Sequence, residues 1–259
     1  MRHELKTENR TLSYLDFGGT GRPLLALHGG MSEALAFTGL AAALGEDWRV
    51  IAPDQRGHGD SDRAPDYRRE GYVRDAVALL DHLGLDAPVA VLGHSLGGLN
   101  AYHLAAAHPH RVSALVNVDT SVEVHPAESD WFGFLRGLPY TAPTREELIA
   151  AAGSAEELVA PGLRPLPGGA GWRMAFHPQD MLDSIEECRG DHWDTWLASG
   201  CPALLIHGIH SHALPRATAE AMAARRPKTS YTPLDGDHFV PFTDPVGFHA
   251  AVGAFLATL

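Results

Sequence analysis

The stretch Gly93-His94-Ser95-Leu96-Gly97-Gly98 sets a serine between glycines two residues away on either side. The apolar run Val89-Ala90-Val91-Leu92 precedes it, and the helix-like run from Leu99 to Ala107 follows. Strand, sharp turn and helix with a serine at the apex make the G-x-S-x-G nucleophile elbow. The turn leaves no room for side chains at Gly93 and Gly97, and it projects the serine hydroxyl above the sheet edge. The helix behind Ser95 offers unpaired N–H groups and a positive dipole end, which suit a developing oxyanion. The chemistry this predicts is acyl transfer through a covalent serine. A serine hydroxyl needs a base to take its proton, and the base needs an acid to orient it.

The flanking elements must position those groups. Thr11–Phe17 reads as an early strand, and Pro23–Leu27 as an unbroken apolar strand ending at His28-Gly29-Gly30-Met31. Residues 34–44 read as a helix. Trp48–Ala52 is the next strand and ends at Asp54, followed by the loop Asp54-Gln55-Arg56-Gly57-His58-Gly59-Asp60-Ser61. Residues 69–83 carry a helical pattern stopped by Gly84. After the elbow comes a strand from Val112 to Val118, ending at Asp119. Such alternation implies a parallel sheet with helices on both faces, whose ligands bind beyond the strands' carboxyl ends. His28, Asp54, Ser95 and Asp119 all fall at such ends.

From residue 122 to about 198 the alternation breaks. Short helical pieces are expected at Ser129–Leu138, Thr144–Ala152, Ala155–Ala160 and Asp180–Cys188, around the Pro/Gly-rich linker 161–169. Four of the five tryptophans, Trp131, Trp172, Trp193 and Trp196, lie here. The segment reads as a helical cap over the strand ends, with aromatics that line an apolar pocket or glue the small helices down. The sheet resumes at Pro202–Ile206, a helix spans Pro215–Arg225, and Ser230–Leu234 is a last strand that Pro233 places at an edge. The helix Pro245–Leu256 closes the chain.

Composition narrows the partners. With 20 Lys and Arg against 32 Asp and Glu, the formal charge of −12 argues against nucleic acid or an anionic membrane. There is no apolar run of membrane-spanning length, and no signal core is expected from the polar stretch Met1–Glu8. The two cysteines, Cys188 and Cys201, have no metal-type spacing, so a reduced cytoplasmic location is expected. His207, His210 and His212 lack a neighbouring carboxylate or cysteine and are not read as a metal site.

Taken together, His28-Gly29-Gly30, the Asp54-x-Arg56-Gly57-His58-Gly59-x-Ser61 loop, Gly93-x-Ser95-x-Gly97 and Gly236-x-His238 resemble the α/β-hydrolase fold family in its capped branch. The resemblance covers nearly the whole chain. It implies a mostly parallel eight-stranded sheet with helices on both faces, a core domain over residues 1–121 and 199–259, and a helical cap over 122–198. It also implies His238 as the base, from the serine-acid-histidine chain order of this fold. The oxyanion donors would be the Leu96 N–H and that of Gly30 or, next, Met31. His28, Asp54, Arg56 and His58 are expected to brace their own loops. His94 packs against the strand or lines the pocket. Met31, Trp131, Phe134, Trp172 and Trp193 are the further candidates for contact with substrate.

The acid departs from the pattern. The family's usual place, Gly-x-x-Asp after the strand ending His207-Gly208, here reads Gly208-Ile209-His210-Ser211. In some branches the acid follows the preceding strand, which points to Asp119, with Glu123 the next candidate. The expected activity is hydrolysis of a small, largely apolar ester or lactone by Ser95, His238 and Asp119, with no cofactor. Two rivals stand beside it. One is a cofactor-free dioxygenase or other non-hydrolytic enzyme using a His-Asp dyad, since the quinolone ring-cleaving dioxygenases share this fold. The other is a receptor-like protein that retains only the pocket.

Overall fold

The computed structural model describes residues 1–7, 9–125 and 132–259. Eight strands form one sheet: β1 (Arg2–Lys6), β2 (Thr11–Asp16), β3 (Arg22–Leu27), β4 (Trp48–Pro53), β5 (Val89–His94), β6 (Val112–Val118), β7 (Ala203–Gly208) and β8 (Thr229–Leu234). Their spatial order is β1-β2-β4-β3-β5-β6-β7-β8. The pairs from β4 through β8 are parallel, and β1 and β2 add antiparallel partners at one edge. Pro233 sits on β8, the opposite edge, where a missing N–H costs no ladder bond. The central strands are buried along nearly their whole length, as expected where helices cover both faces. β1 went unnoticed in the sequence because only Leu5 of its five residues is buried, too little for a periodic signal.

Each face carries its own apolar cluster. One holds Leu25, Leu27, Val91, Leu99, Tyr102, Leu115 and Leu205, beneath α2 (Arg69–His82) and α3 (Leu96–Ala107). The other holds Leu24, Val50, Leu92, Val116 and Ile206, together with residues of α1 (Thr38–Leu44) and the closing helix Pro245–Leu256. The helix expected over 34–44 starts as a 3₁₀ turn, Ala34–Phe37, before α1.

Residues 122–198, as far as they are described, add no strand to this sheet. They contain α4 (Arg145–Ala152), α5 (Glu156–Val159), α6 (Pro178–Glu186) and α7 (Trp193–Leu197). Thr144 caps α4, accepting from the Glu147 N–H. The piece expected at Ser129–Leu138 lies partly outside the described residues, and the rest holds only a 3₁₀ turn, Gly133–Leu135. Two small sheets of two-residue strands also occur, Glu123–Val124 with Gly190–Asp191, and Thr141–Ala142, Trp172–Arg173 and Arg164–Pro165 together. Pieces this short have no alternation to read. The insertion builds a third apolar cluster that includes Leu135, Leu148, Val159, Met174, Phe176 and Met181 and takes in Met31 and Leu96 from the strand ends. Among the described residues, no helix is long and apolar enough to cross a membrane.

Candidate active site

β5 and β6 are parallel neighbours in which His94 pairs with Val118, so the residues just beyond them, Ser95 and Asp119, emerge side by side. Both have left-handed backbone, with φ 52° at Ser95 and 50° at Asp119. Serine rarely adopts that geometry, and its neighbours hold it. The Ser95 N–H donates to the Val118 carbonyl (3.1 Å), and the Thr120 hydroxyl donates to the Ser95 carbonyl (2.9 Å). A β-carbon on Gly93 would run into the Gly97 backbone, and one on Gly97 into the Leu27 carbonyl. The glycine spacing therefore answers a real close approach.

His238, from the loop after β8, lies between the two. The Ser95 hydroxyl is 2.8 Å from Nε2, and Nδ1 is 2.8 Å from Asp119 Oδ2. With the Nδ1 proton donated to the carboxylate, Nε2 is free to accept from the serine. Asp119 is fully buried and His238 about a quarter exposed. The carboxylate accepts further, Oδ1 from the Gly208 N–H (2.9 Å) and Oδ2 from the Ser211 hydroxyl (2.5 Å). The residue standing where the family pattern has an aspartate therefore bonds to Asp119. Glu123 is elsewhere, accepting from the Trp193 indole at 2.7 Å.

The Leu96 N–H opens α3, beyond the reach of intrahelical partners. Gly30 lies on the loop after β3 and is partly exposed. Met31 is ruled out as a free donor, because its N–H donates to His58 Nε2 at 3.2 Å. The bracing expected of the loop residues is present. His28 accepts from the Gln55 N–H at 2.9 Å, while the Gln55 amide donates to the His28 carbonyl at 2.6 Å. Asp54 Oδ1 accepts from the Ala34 N–H (2.8 Å) and Oδ2 from the Asp60 N–H (3.0 Å). Asn100 on α3 donates to Gln55 and accepts from Arg69, tying the elbow helix to the Asp54 loop and to α2. Burial pushes His28 down to about 3, helped by the neighbouring His58.

His94 is buried and donates from Nε2 to the His238 carbonyl at 2.8 Å. It therefore fixes the backbone that carries His238. Burial, with His238 beside it, pushes its pKa down to about 4, so it is neutral at ordinary pH. Of the aromatics, Phe134 and Trp172 pack partly buried on the insertion's cluster, the one that reaches Met31 and Leu96. Trp131 lies outside the described residues. Trp193 departs from expectation. Its ring packs on the main-domain core, with the Arg225 guanidinium 3.8 Å above it. Trp196 is likewise buried there and donates to the Met222 carbonyl at 3.0 Å. Both anchor α7 to the body rather than line a pocket.

Met181 on α6 had no signal in the sequence. A β-carbon on Gly30 would meet its Cε at 3.1 Å and its Sδ at 3.3 Å. The adjacent Asp180 is gripped by Arg63 through two bonds of 2.6 Å and by the Tyr67 hydroxyl at 2.6 Å, which sets α6 over the Gly30 loop.

The same fold is found in known proteins. A family model of the alpha/beta hydrolase fold matches residues 22–146. The chain has the α/β-hydrolase fold. It is 29% identical to a 3-hydroxybutyrate-oligomer hydrolase of Cupriavidus necator, over 90% of this chain and 89% of that one. It is 27% identical to a 2-(acetamidomethylene)succinate hydrolase of Mesorhizobium japonicum, over 88% and 85%. The solved enol-lactonase of Burkholderia xenovorans superposes with a TM-score of 0.80 at 22% identity, covering 98% of this chain and all of that one.

Proposed function

We propose that this α/β-hydrolase-fold enzyme is a serine hydrolase of small, largely apolar esters or lactones. The observation that carries the reading is the unbroken relay from Ser95 Oγ through His238 to Asp119, at 2.8 Å in each step. In this mechanism His238 Nε2 takes the Ser95 proton as the oxygen attacks the carbonyl carbon. The charge that develops on the carbonyl oxygen is met by the N–H groups of Leu96 and Gly30. The tetrahedral intermediate collapses to an acyl-serine while His238 returns the proton to the leaving alkoxide. Water then repeats the cycle and frees the acid. Asp119 holds the Nδ1–H tautomer and balances the imidazolium formed in each half-reaction. No cofactor enters these steps.

In the same reading, residues 1–121 and 199–259 form the catalytic body and 122–198 the cap. The apolar surroundings of the rim, Met31, Leu96 and Met181, support an apolar acyl group. Phe134 and Trp172 are assigned to the more distant wall. The two unpaired cysteines are consistent with a reducing, cytoplasmic compartment. A fluorophosphonate probe tests the covalent step. It is expected to label one site, and Ser95→Ala to abolish both labelling and ester turnover, because losing one member of a working triad costs several orders of magnitude. Full turnover in the alanine variant would instead favour a His238–Asp119 dyad that deprotonates its substrate for cofactor-free oxygenation.

A further inference from the structure

We propose that Ser211 is a positioning residue that sets the basicity of His238 by donating a hydrogen bond to Asp119. The inference rests on the assignment of Asp119 as the partner of His238. The geometry gives the Ser211 proton one direction. The Ala213 N–H (3.1 Å) and the Leu214 N–H (3.4 Å) both point at Ser211 Oγ, so the oxygen's accepting side is taken. Its single proton goes to Asp119 Oδ2 at 2.5 Å. Two donors feeding an oxygen make its own O–H a stronger donor.

That oxygen of Asp119 is the one His238 Nδ1 uses. Serine and imidazole therefore draw on the same negative charge. A hydroxyl bond to a carboxylate stabilises the charge and weakens the carboxylate's hold on a neighbouring proton. With Ser211 in place, Asp119 supports the imidazolium less strongly than a bare buried carboxylate does. His238 can then release its proton and return as a base at lower pH. The β7 loop, which in the usual plan of this fold carries the acid, here supplies two donors to an acid carried by β6: Ser211 and the Gly208 N–H.

Other groups face this pair. The buried His94 lies with its ring centroid 5.2 Å from that of His238. Asp237 precedes His238 on the same loop. His207 and Tyr231, from β7 and β8, pair with each other at 2.8 Å. His210 and Asp235 pair at the exposed rim at 3.0 Å. Ser211 Oγ itself bonds to Asp119 and accepts from the Ala213 and Leu214 N–H groups, so the variant that keeps the hydroxyl is the control for the loop contacts.

The test is a pH titration of the His238 ring by NMR, its signals assigned by their loss in His238→Asn. Ser211→Ala, Ser211→Cys and Ser211→Thr are compared with the parent protein. Removing the hydroxyl is expected to raise the His238 titration point by roughly 0.5–1 unit in Ser211→Ala. Ser211→Cys fills the same space with a weak donor and should give a smaller rise. Ser211→Thr keeps the hydroxyl and should titrate with the parent. Where the protein turns over ester, the acidic limb of kcat/KM should move in step. If Ser211→Ala does not fold, the cysteine and threonine pair decides. A titration point unmoved in the alanine or cysteine variant, or moved equally in the threonine variant, overturns the proposal. The titration needs no substrate, so it stands even if fluorophosphonate fails to label Ser95 and the hydrolase reading falls.

Discussion

At the carboxyl edge of the sheet, His238 and Asp119 are held by polar contacts to side chains and backbone. The insertion meets that edge differently, with methionine and leucine packed on the rim and aromatics at the periphery. The difference is one of tolerance. A hydrogen-bonded relay fails when one atom is wrong, because proton transfer depends on distance and tautomer. An apolar wall of flexible side chains reshapes by small amounts, each methylene being worth about 1–3 kcal/mol. The sheet edge should therefore carry rate, and the insertion should carry preference.

The hardest blow to that division is struck at Asp119. Asp119→Asn keeps size and shape but presents an amide to His238 Nδ1 and favours the wrong tautomer. Turnover should fall by roughly 10⁴-fold with thermal stability largely kept. Ser211→Asp in that background should restore part of the loss, since Ser211 Oγ already lies 2.5 Å from the Asp119 carboxylate. Near-normal turnover in Asp119→Asn would mean that the relay is not the seat of rate.

How much of this was legible in the sequence follows the same line. The elbow was readable because close approach leaves Gly93 and Gly97 no alternative, and glycine is visible as a letter. Asp119 was reachable because strand order puts the β5 and β6 ends together and the usual acid position holds serine. The contact between Ser211 and Asp119 was hidden, since a hydroxyl's partner depends on loop geometry. In the insertion little was legible. Two-residue strands have no period, and a tryptophan that lines a pocket looks in sequence like one that bolts down a helix. Trp193 was the latter: its indole is spent on Glu123 and its face on Arg225. Met181 reaches Gly30 only because Arg63 and Tyr67 grip the neighbouring Asp180, a link across more than 110 residues of chain.

The body's rigidity has a cost in acid. His28 and His94 are held neutral by burial, at about 3 and about 4. Unfolded histidine titrates near 6.5. Because the folded values lie below the unfolded one, the unfolded chain binds more protons between them. Stability is then complete above about pH 6.5 and is lost as pH falls towards 4. By pH 5 each histidine should cost about 2 kcal/mol. The urea midpoint should drop clearly between pH 7.5 and pH 5. An unchanged midpoint would show that these imidazoles are not held neutral by the fold.

The smallest effect sharpens the comparison from the other side. Met181 is buried, and its thioether tip covers the Gly30 loop, beside the N–H assigned to the oxyanion. Its shape should limit the size of the group next to the scissile carbonyl. Met181→Val removes the tip while keeping an apolar side chain in the cluster. The ratio of kcat/KM for hexanoyl over acetyl nitrophenyl esters should then rise by about three- to tenfold, near 1 kcal/mol. Trp193→Phe keeps a ring under Arg225 on the main-domain cluster and should leave that ratio where it was. A uniform loss on both esters in Met181→Val, with melting unchanged, would mean that α6 contributes to rate and that the boundary between the two regions is drawn in the wrong place. A shifted ratio with an unchanged pH profile would assign Met181 to preference alone, and leave the proton chemistry to the relay proposed from Ser95 to Asp119.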